Sequence, residues 1–244
     1  WRPQQGRVIR LYCDIKNPDG TQFWGDTRGI LKNVISKVES MGYVCKVGAE
    51  LEFYLFKTDE LGEPTTVPYD NGAYLDVAPY DKAENVRREI CLCLEEMGIR
   101  PESSHHEQGP GQNEIDFKYS EALSSADNLL TFKGVVRTIA ARNGLFASFS
   151  PKPIQDKSGN GFHMNLSLTK NGFNVFRTGL DSHTEAESFI AGVLRRTREM
   201  TIFLNPIPNS YDRFGVFDAP KYVSWSYGNR SQLVRIPAAH GDKI

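Results

Sequence analysis

Apolar residues recur along the chain with two spacings, one typical of helices and the other of strands. Spacings of three and four place Ile30, Val34 and Val38 on one helical face. This spacing predicts helices over residues 25–42, 81–97, 120–142 and from Ser182 to the residue before Pro206. Strict alternation predicts strands over residues 44–56, 102–107, 113–119, 145–150, 162–168, 222–226 and 233–236. A loop containing Pro and Gly is predicted from about residue 61 to residue 79.

The order of these elements predicts the fold class. Helices alternate with strands, but several strands are joined by hairpin-type connections, which favours an α+β fold with a largely antiparallel sheet. Two helices begin with the spacing of a capping box, Asp81 with Glu84 and Ser182 with Glu185. Neither the Walker A loop nor the dinucleotide-binding G-x-G-x-x-G loop is present. A nucleotide would therefore have to bind through other groups.

Composition and charge exclude several classes of protein. Lys and Arg total 29, Asp and Glu total 30, and the formal net charge is -1, without the basic excess of nucleic-acid-binding proteins. No apolar run approaches the roughly 20 residues of a membrane helix, so neither nucleic acid nor membrane is an expected partner. A content of 39% hydrophobic residues argues against wholesale disorder. The four cysteines contain no C-x-x-C pair and are interpreted as free thiols, which predicts a cytoplasmic protein.

The first candidate for chemistry is a pair of glutamates on a predicted strand. Glu50 and Glu52 share one face of strand 44–56, while Leu51 and Phe53 take the other. Adjacent like charges cost free energy unless something neutralises them, and a divalent cation such as Mg²⁺ or Mn²⁺ would do so. A solvated polar strand gives the same pattern, and for these two residues alone it is the simpler interpretation.

A second pair of glutamates flanks a tight turn. Glu107 follows two histidines, and Glu114 follows the Gly109-Pro-Gly111 connection, so a hairpin would bring the two carboxylates near each other. An ordinary hairpin with a charged tip is the alternative. Four glutamates on strands nevertheless make a purely solvated explanation less satisfactory, and they sharpen the prediction of a metal site.

Two further segments carry polar groups suited to binding. Gly159 and Gly161 permit close backbone approach to a ligand, and His163, Asn165 and Ser167 share a face of the strand that follows. Downstream are three arginines, a residue type suited to carboxylate and phosphate oxygens: Arg213, Arg230 and Arg235. They could be plain surface arginines, but Arg235 lies in a Leu-Val-Arg-Ile-Pro run, where an unpaired charge would be costly. An acidic metal cluster with an arginine cluster fits phosphoryl transfer from a metal-bound nucleotide.

The chain resembles the catalytic region of the glutamine synthetase family. Several motifs carry the resemblance in the same order, and they lie at residues 13–20 (CDIKNPDG), 48–56 (GAELEFYLF), 105–114, 158–163 (SGNGFH), 205–213 and 229–237. The resemblance implies a curved, largely antiparallel sheet flanked by helices. It also implies an enzyme that uses ATP and Mg²⁺ or Mn²⁺.

The resemblance further implies a role for individual residues. The implied ligands of two or three metal ions are Glu50, Glu52, Glu107, Glu114 and His163. The implied contacts to substrate glutamate are Gly159 and Arg213. The implied contacts to ATP and its phosphates are Glu102, Ser167, Arg230 and Arg235. Asp218 takes the place of the glutamate on the family's flap loop and is implied to be catalytic, together with Arg230.

The implied reaction joins ammonia to the γ-carboxylate of L-glutamate through γ-glutamyl phosphate, in a homo-oligomer whose active sites lie between subunits. The sequence departs from the family pattern at Ser158, at Asn165 and in a flap loop that is one residue shorter and carries Asp218. The family's N-terminal sheet domain and the C-terminal end of its catalytic domain are not in the sequence. We therefore expect residues 1–244 to be an incomplete catalytic domain, inactive by itself.

Three other interpretations remain open. A γ-glutamyl-amine ligase would retain the chemistry but act on a polyamine or similar amine, which the altered flap loop would accommodate. A non-catalytic regulatory or scaffold relative would explain the changes at Ser158, Asn165 and Asp218, although all five predicted metal ligands are retained. A metal-dependent nuclease or phosphatase fits the order of the motifs least well.

Overall fold

The computed structural model of the chain describes residues 9–176 and 185–237. Its helices are α1 (Thr27–Ser40), α2 (Glu84–Glu96), α3 (Ala122–Arg142), α4 (Glu185–Leu204) and α5 (Pro208–Tyr211). Its strands are β1 (Tyr43–Thr58), β2 (Pro64–Pro68), β3 (Pro101–His106), β4 (Gln112–Glu121), β5 (Leu145–Ser148), β6 (Phe162–Lys170), β7 (Phe173–Asn174), β8 (Trp225–Tyr227) and β9 (Val234–Ile236).

The long strand β1 organises a seven-stranded sheet. It pairs with β4 over residues 46–54, with β6 over residues 43–51 and with β5 over residues 54–57, each time antiparallel. Strand β2 joins the end of β1, β3 adds outside β4, and β7 adds outside β6. The predicted α+β class with a curved antiparallel sheet is confirmed. Strands β8 and β9 form a separate parallel pair.

The hydrophobic core lies between one face of this sheet and helices α2 and α3. Leu51, Phe53 and Leu55 on alternate positions of β1 are at most 5% exposed, as the period-two pattern predicted. Phe53 packs against Phe132 of α3, with ring centroids 6.3 Å apart. Since alternate residues of a strand point to opposite faces, burying this set sends Glu50 and Glu52 to the other face.

Several predicted boundaries need correction. The predicted loop 61–79 contains β2, the motif at 205–213 contains the short helix α5, and the strand predicted at 222–226 lies at Trp225–Tyr227. Strand β7 was not predicted. These elements have two to five residues, too few for a periodic signal to emerge from a single sequence.

The predicted capping box at Asp81 is wrong. The N-cap of α2 is Ala83, whose side chain makes no capping hydrogen bond. Asp81 is buried and instead accepts hydrogen bonds from the Ala83 N–H (2.9 Å) and from Arg87 (2.6 and 3.0 Å). The Asp81 carboxylate, which the spacing predicted to cap the helix, therefore pairs with the buried side chain of Arg87. The other predicted capping box begins at Ser182, outside the described residues.

None of the helices in the two described ranges has the length and apolar character needed to cross a membrane.

Candidate metal and substrate site

The centre of the site is the solvent-side face of β1 and its two neighbours. Glu50 lies opposite Asp116 of β4 and opposite His163 of β6, and Glu52 lies opposite Glu114 of β4. Directly opposed residues in an antiparallel pair have Cβ atoms about 4.5–5.5 Å apart. The sheet register therefore collects polar side chains that are far apart in sequence.

The hairpin of β3 and β4 brings Glu107 and Glu114 together, as the spacing predicted. His105 lies between them, its Nε2 3.0 Å from Glu107 Oε1 and 3.3 Å from Glu114 Oε2. One ligand atom from each of the three residues lies within 4.8 Å of the others. Glu107 and Glu114 are only 8% and 7% exposed, so water solvates their charges poorly. His105 was not assigned this place from the sequence, although its neighbour Glu107 was.

A second group of carboxylates adjoins the first and includes a residue that sequence reasoning missed. Oxygens of Glu50, Glu114 and Asp116 also lie within 4.8 Å of one another. Asp116 Oδ2 accepts a hydrogen bond from Ser103, while Asp116 Oδ1 is buried and has no partner. The signal was present, since Asp116 follows Glu114 by two positions and so shares its strand face.

These donors fit a divalent cation. Carboxylate oxygens are the ligands that Mg²⁺ and Mn²⁺ prefer, and imidazole is acceptable to Mn²⁺. The unpartnered Asp116 Oδ1 is a buried acceptor beside two other carboxylates, an arrangement that is costly unless a positive charge lies near it. His105, Glu107 and Glu114 could hold one ion, and Glu50, Glu114 and Asp116 could hold another.

The pKa values show how strongly the cluster resists carrying all of its charge. Burial raises the pKa of Glu52 to about 7, and the charge of Glu107 acts in the same direction. Burial raises the pKa of Glu114 to about 8, with added repulsion from Asp116 and Glu52. Hydrogen bonds to Glu107 and Glu114 raise the pKa of His105 to about 10. A divalent cation bound beside these carboxylates would favour their ionised forms.

Glu52 is held in place by the backbone of the Gly-rich segment. Its Oε2 accepts hydrogen bonds from Gln112 Nε2 (2.6 Å) and from the Gly161 N–H (2.8 Å). A Cβ at position 161 would lie 2.6 Å from Glu52 Oε1, so a larger residue would displace the carboxylate. The sequence predicted that glycine here lets the backbone approach a ligand; at Gly161 the group that approaches the backbone is the Glu52 carboxylate.

The two predicted substrate contacts, Gly159 and Arg213, lie against each other. A Cβ on Gly159 would be 2.8 Å from Arg213 Cγ and 2.5 Å from the Pro151 carbonyl oxygen. Arg213 is partly buried and its Nε has no partner. Burial lowers the pKa of Arg213, and the charge of Glu52 opposes this effect. The Arg213 guanidinium, with an unpaired N–H beside Gly159, could therefore bind the carboxylate of a ligand.

Asn209 fixes the segment that carries Arg213. Its Oδ1 accepts from Ser150 Oγ and from the Lys152 N–H at 2.8 Å each, and its Nδ2 donates to the Lys152 carbonyl at 3.0 Å. This amide ties the segment after α4 to the loop that follows β5. That tie, between residues 57 and 59 positions apart in sequence, brings the two segments together at the site.

Arg230 lies close to Tyr74, Glu107 and Asp218. A hydrogen bond with Tyr74 raises the pKa of Arg230, and the charges of Glu107 and Asp218 are close enough to act in the same direction. The Tyr74 ring in turn meets the His105 ring edge-on, with centroids 5.8 Å apart. Tyr74 lies in an irregular segment and carried no signal in the sequence. Asp218 is exposed, with a left-handed φ of 64° that follows the 49° of Phe217.

The structure places the other predicted residues farther out. Glu102 is exposed at a bulge of the edge strand β3. Ser167 lies opposite Lys46, two positions beyond Asn165, whose Nδ2 donates to Glu50 Oε1 at 2.5 Å. Arg235 is exposed on β9, because alternation on this short strand turns it outward from its apolar neighbours, so its charge is not buried among them.

His163 lies between positive and negative neighbours. Loss of surrounding water lowers the pKa of its imidazole, and the charges of Arg213 and Arg235 act in the same direction, while Glu50 opposes them. A neutral imidazole is the form that binds a metal ion. His163 therefore joins Glu50 as a candidate ligand on the β6 side of the cluster.

Comparison with known proteins agrees with this architecture. The sequence profile described as "Glutamine synthetase, catalytic domain" matches residues 24–244. The chain is 51% identical over 247 residues to a glutamine synthetase of Clostridium saccharobutylicum and 48% identical over 246 residues to one of Methanosarcina mazei. These alignments cover 99% of this chain and 55% of each relative, so the chain spans about half the length of the curated relatives it matches.

Solved structures show the same fold. A cryo-EM structure of Plasmodium falciparum glutamine synthetase aligns with a TM-score of 0.81 at 30% identity, covering 91% of this chain and 50% of that one. A GmaS/ADP complex aligns with a TM-score of 0.79 at 30% identity, covering 89% of this chain and 53% of that one.

The fold and the site define an α+β protein with a carboxylate-rich candidate metal centre on the open face of an antiparallel sheet. Within that class the chain belongs to the glutamine synthetase catalytic-domain family, as its motifs indicated.

Proposed function

We propose that the chain is the larger part of the catalytic domain of a glutamine synthetase, which joins ammonia to the γ-carboxylate of L-glutamate at the expense of ATP. The observation that carries the proposal is the convergence of Glu50, Glu52, Glu107, Glu114 and His163 on one sheet face in a chain of this family. The whole protein is proposed to be a cytoplasmic homo-oligomer whose active sites lie between subunits.

Mg²⁺ or Mn²⁺ bound to these five residues would neutralise phosphate and carboxylate charge during phosphoryl transfer. Among the chain's own groups, Arg213 beside Gly159 is positioned to orient the glutamate carboxylate. Arg230, exposed above Glu107, is positioned to pair with phosphate oxygens, and Arg235, Ser167 and Glu102 are proposed to contact the nucleotide.

In the first step, a γ-carboxylate oxygen attacks the γ-phosphorus of ATP, and the bond to ADP breaks. In the second step, ammonia attacks the acyl carbon of γ-glutamyl phosphate, and inorganic phosphate leaves. Asp218 is proposed to accept a proton from ammonium before this attack. Its exposed position beside Arg230 supports that assignment, because it can approach a ligand without rearranging the sheet.

A γ-glutamyl-amine ligase is the second candidate, and the flap loop is the observation that favours it. The loop is one residue shorter than the family pattern and bears the shorter acid Asp218, which would leave room for a larger amine. The relatives at 51% and 48% identity, which are named glutamine synthetases, favour the first candidate.

Phosphate release by the full-length protein decides between them. We expect turnover with glutamate, ATP, Mn²⁺ and ammonia, and less turnover with methylamine, ethanolamine or putrescine in place of ammonia. Turnover with one of those amines but not with ammonia would replace the first proposal by the second. No turnover with any of them, together with no Mn²⁺ binding by calorimetry, would support a scaffold and contradict both.

A further inference from the structure

A buried carboxylate lies behind the metal hairpin and is not part of the proposed ligand set. Asp70, between β2 and α2, is 4% exposed. Its Oδ1 accepts hydrogen bonds from His106 Nε2 (2.8 Å), from the Gly111 N–H (2.9 Å) and from the Gly72 N–H (3.2 Å). Its Oδ2 accepts from the Lys82 N–H at 3.1 Å. A charge buried this deeply is tolerated because four N–H groups solvate it.

His106 connects this carboxylate to the backbone of a candidate ligand. The side chain is fully buried, and its Nδ1 lies 2.6 Å from the Glu107 carbonyl oxygen. Carbonyl and carboxylate oxygens can only accept here, so Nδ1 donates to Glu107, Nε2 donates to Asp70, and both ring nitrogens carry a proton. The His106 ring thus connects Asp70 to the main chain of Glu107, two residues from His105.

Asp70 also holds the far end of the same turn. Asp70 accepts a hydrogen bond from the Gly111 N–H, and Gly111 immediately precedes β4, which carries Glu114. One carboxylate therefore fixes both ends of the turn between Glu107 and Gly111. The relative position of Glu107 and Glu114 depends on that turn.

Neighbouring residues of the loop reinforce the connection. The Leu75 N–H donates to the His106 carbonyl at 3.0 Å, and Tyr74 packs on His105. A Cβ at Gly72 would lie 2.7 Å from His106 Nε2, so the loop approaches the ring as closely as a glycine allows. The segment predicted as a plain loop is thus a support for the metal hairpin.

We propose that Asp70 is a positioning residue that, through His106 and Gly111, holds Glu107 and Glu114 at the separation needed to bind a divalent cation. The inference rests on the proposed function, because it assumes that this hairpin binds Mg²⁺ or Mn²⁺. Groups that orient metal ligands from behind typically contribute 10- to 100-fold to metal affinity.

The test is Mn²⁺ titration of the full-length protein and its Asp70→Asn variant by calorimetry. Asparagine preserves the volume but removes the charge that four donors share. We expect Mn²⁺ to bind at least about tenfold more weakly, with turnover approaching the wild-type kcat once Mn²⁺ is saturating. A residue that only stabilised the fold would change the melting temperature and leave the Mn²⁺ affinity unchanged.

Asp26→Asn is the matched control. Asp26 is also buried, but it is the N-cap of α1 and accepts hydrogen bonds from the Arg28 N–H (3.2 Å) and the Ile15 N–H (3.3 Å), so it does not hold the metal hairpin. We expect this variant to be less stable but to bind Mn²⁺ within about twofold of wild type. Equal loss of affinity in both variants, or none in Asp70→Asn, would overturn the positioning role.

Gly72→Ala provides a second variant if Asp70→Asn does not fold. It displaces the His106 ring without changing any charge, and the same weakening of Mn²⁺ binding is expected; unchanged affinity would contradict the proposal. A wild-type protein that fails to bind Mn²⁺ would instead refute the proposed function, and the positioning role with it.

Discussion

The candidate site has two halves that are built differently. The sheet half comprises Glu50, Glu52, Glu107, Glu114 and His163 on β1, β4, β6 and the β3–β4 turn. The loop half comprises residues 205–237, which carry Arg213, Asp218 and Arg230. Glu107 and Glu114 are at most 8% exposed, whereas Phe217 in the loop half is 51% exposed and Tyr222 is 73% exposed.

The difference follows from what holds each half. Residues of the sheet half are fixed by strand register and by a second layer that includes Gln112, Asp70 and His106. The loop half is tied to the rest at fewer points, chiefly through Asn209 and through the Lys152 ammonium, which lies 4.6 Å from the Phe217 ring centroid. Changes in the two halves should therefore have separable effects on metal affinity and on turnover.

The largest effect is expected from Glu52→Ala. The change removes a central carboxylate whose pKa burial has raised, so it relieves repulsion and leaves the core face of β1 intact. We expect metal-dependent turnover to be abolished and Mn²⁺ binding to be weakened, with a melting temperature in EDTA within a few degrees of wild type.

The matched control is Glu60→Ala, at an exposed position beyond the end of β1, which should change neither quantity. Wild-type turnover by the Glu52→Ala variant would show that the sheet half is not the metal site.

A smaller and different effect is expected from Asp218→Asn in the loop half. A side chain that takes a proton from ammonium would contribute about 100-fold or more to kcat. Its loss would leave the geometry of the metal cluster unchanged. Steady-state kinetics should show kcat reduced by about that factor, and calorimetry should show an unchanged Mn²⁺ affinity. Glu60→Gln, at an exposed position beyond the end of β1, is the control and should behave as wild type. A parallel loss of Mn²⁺ affinity would mean that the two halves are not separable.

The smallest effect is the pH dependence of the sheet half. The pKa of Glu52 is raised to about 7 and that of Glu114 to about 8, so protons compete with the metal below these values. We expect Mn²⁺ affinity to fall by about tenfold per pH unit below pH 7, as measured by calorimetry, if one proton is displaced. Affinity that is constant from pH 6 to pH 8 would contradict the raised values.

The same pKa shifts predict how the stability of the metal-free protein changes with pH. In the folded chain the pKa of Glu52 is about 7 and that of Glu114 is about 8, both above the ordinary value of 4.5. The pKa of His105 is about 10, above its ordinary value of 6.5. The folded state therefore binds more protons, and stability falls as pH rises from about 4.5 to about 10. Thermal unfolding in EDTA should show this decline, and Glu52→Ala should flatten it. The loop half should contribute nothing to it.

Much of the sheet half could be predicted from the sequence, because the alternation of apolar and polar residues along β1 decides which face each side chain takes. Burying Leu51 and Phe53 forces Glu50 and Glu52 to the opposite face, and the Gly-Pro-Gly turn places Glu107 near Glu114. Asp116 could have been found by the same rule. His105 could not be assigned, because which of two adjacent histidines points to the cluster depends on the register of β3, which a bulge shifts between Pro101 and Ser103.

The sequence by itself determined the α+β class, the apolar faces of β1, α2 and α3, and the family to which the chain belongs. Only the tertiary structure decided which strands became neighbours, and therefore that Asp116 and His163 flank Glu50, that Tyr74 meets His105, and that Asp70 supports the metal hairpin through His106. The physical reason is that a periodic pattern specifies the face on which a side chain lies. The partner across that face is set by sheet register and by loops that have no period.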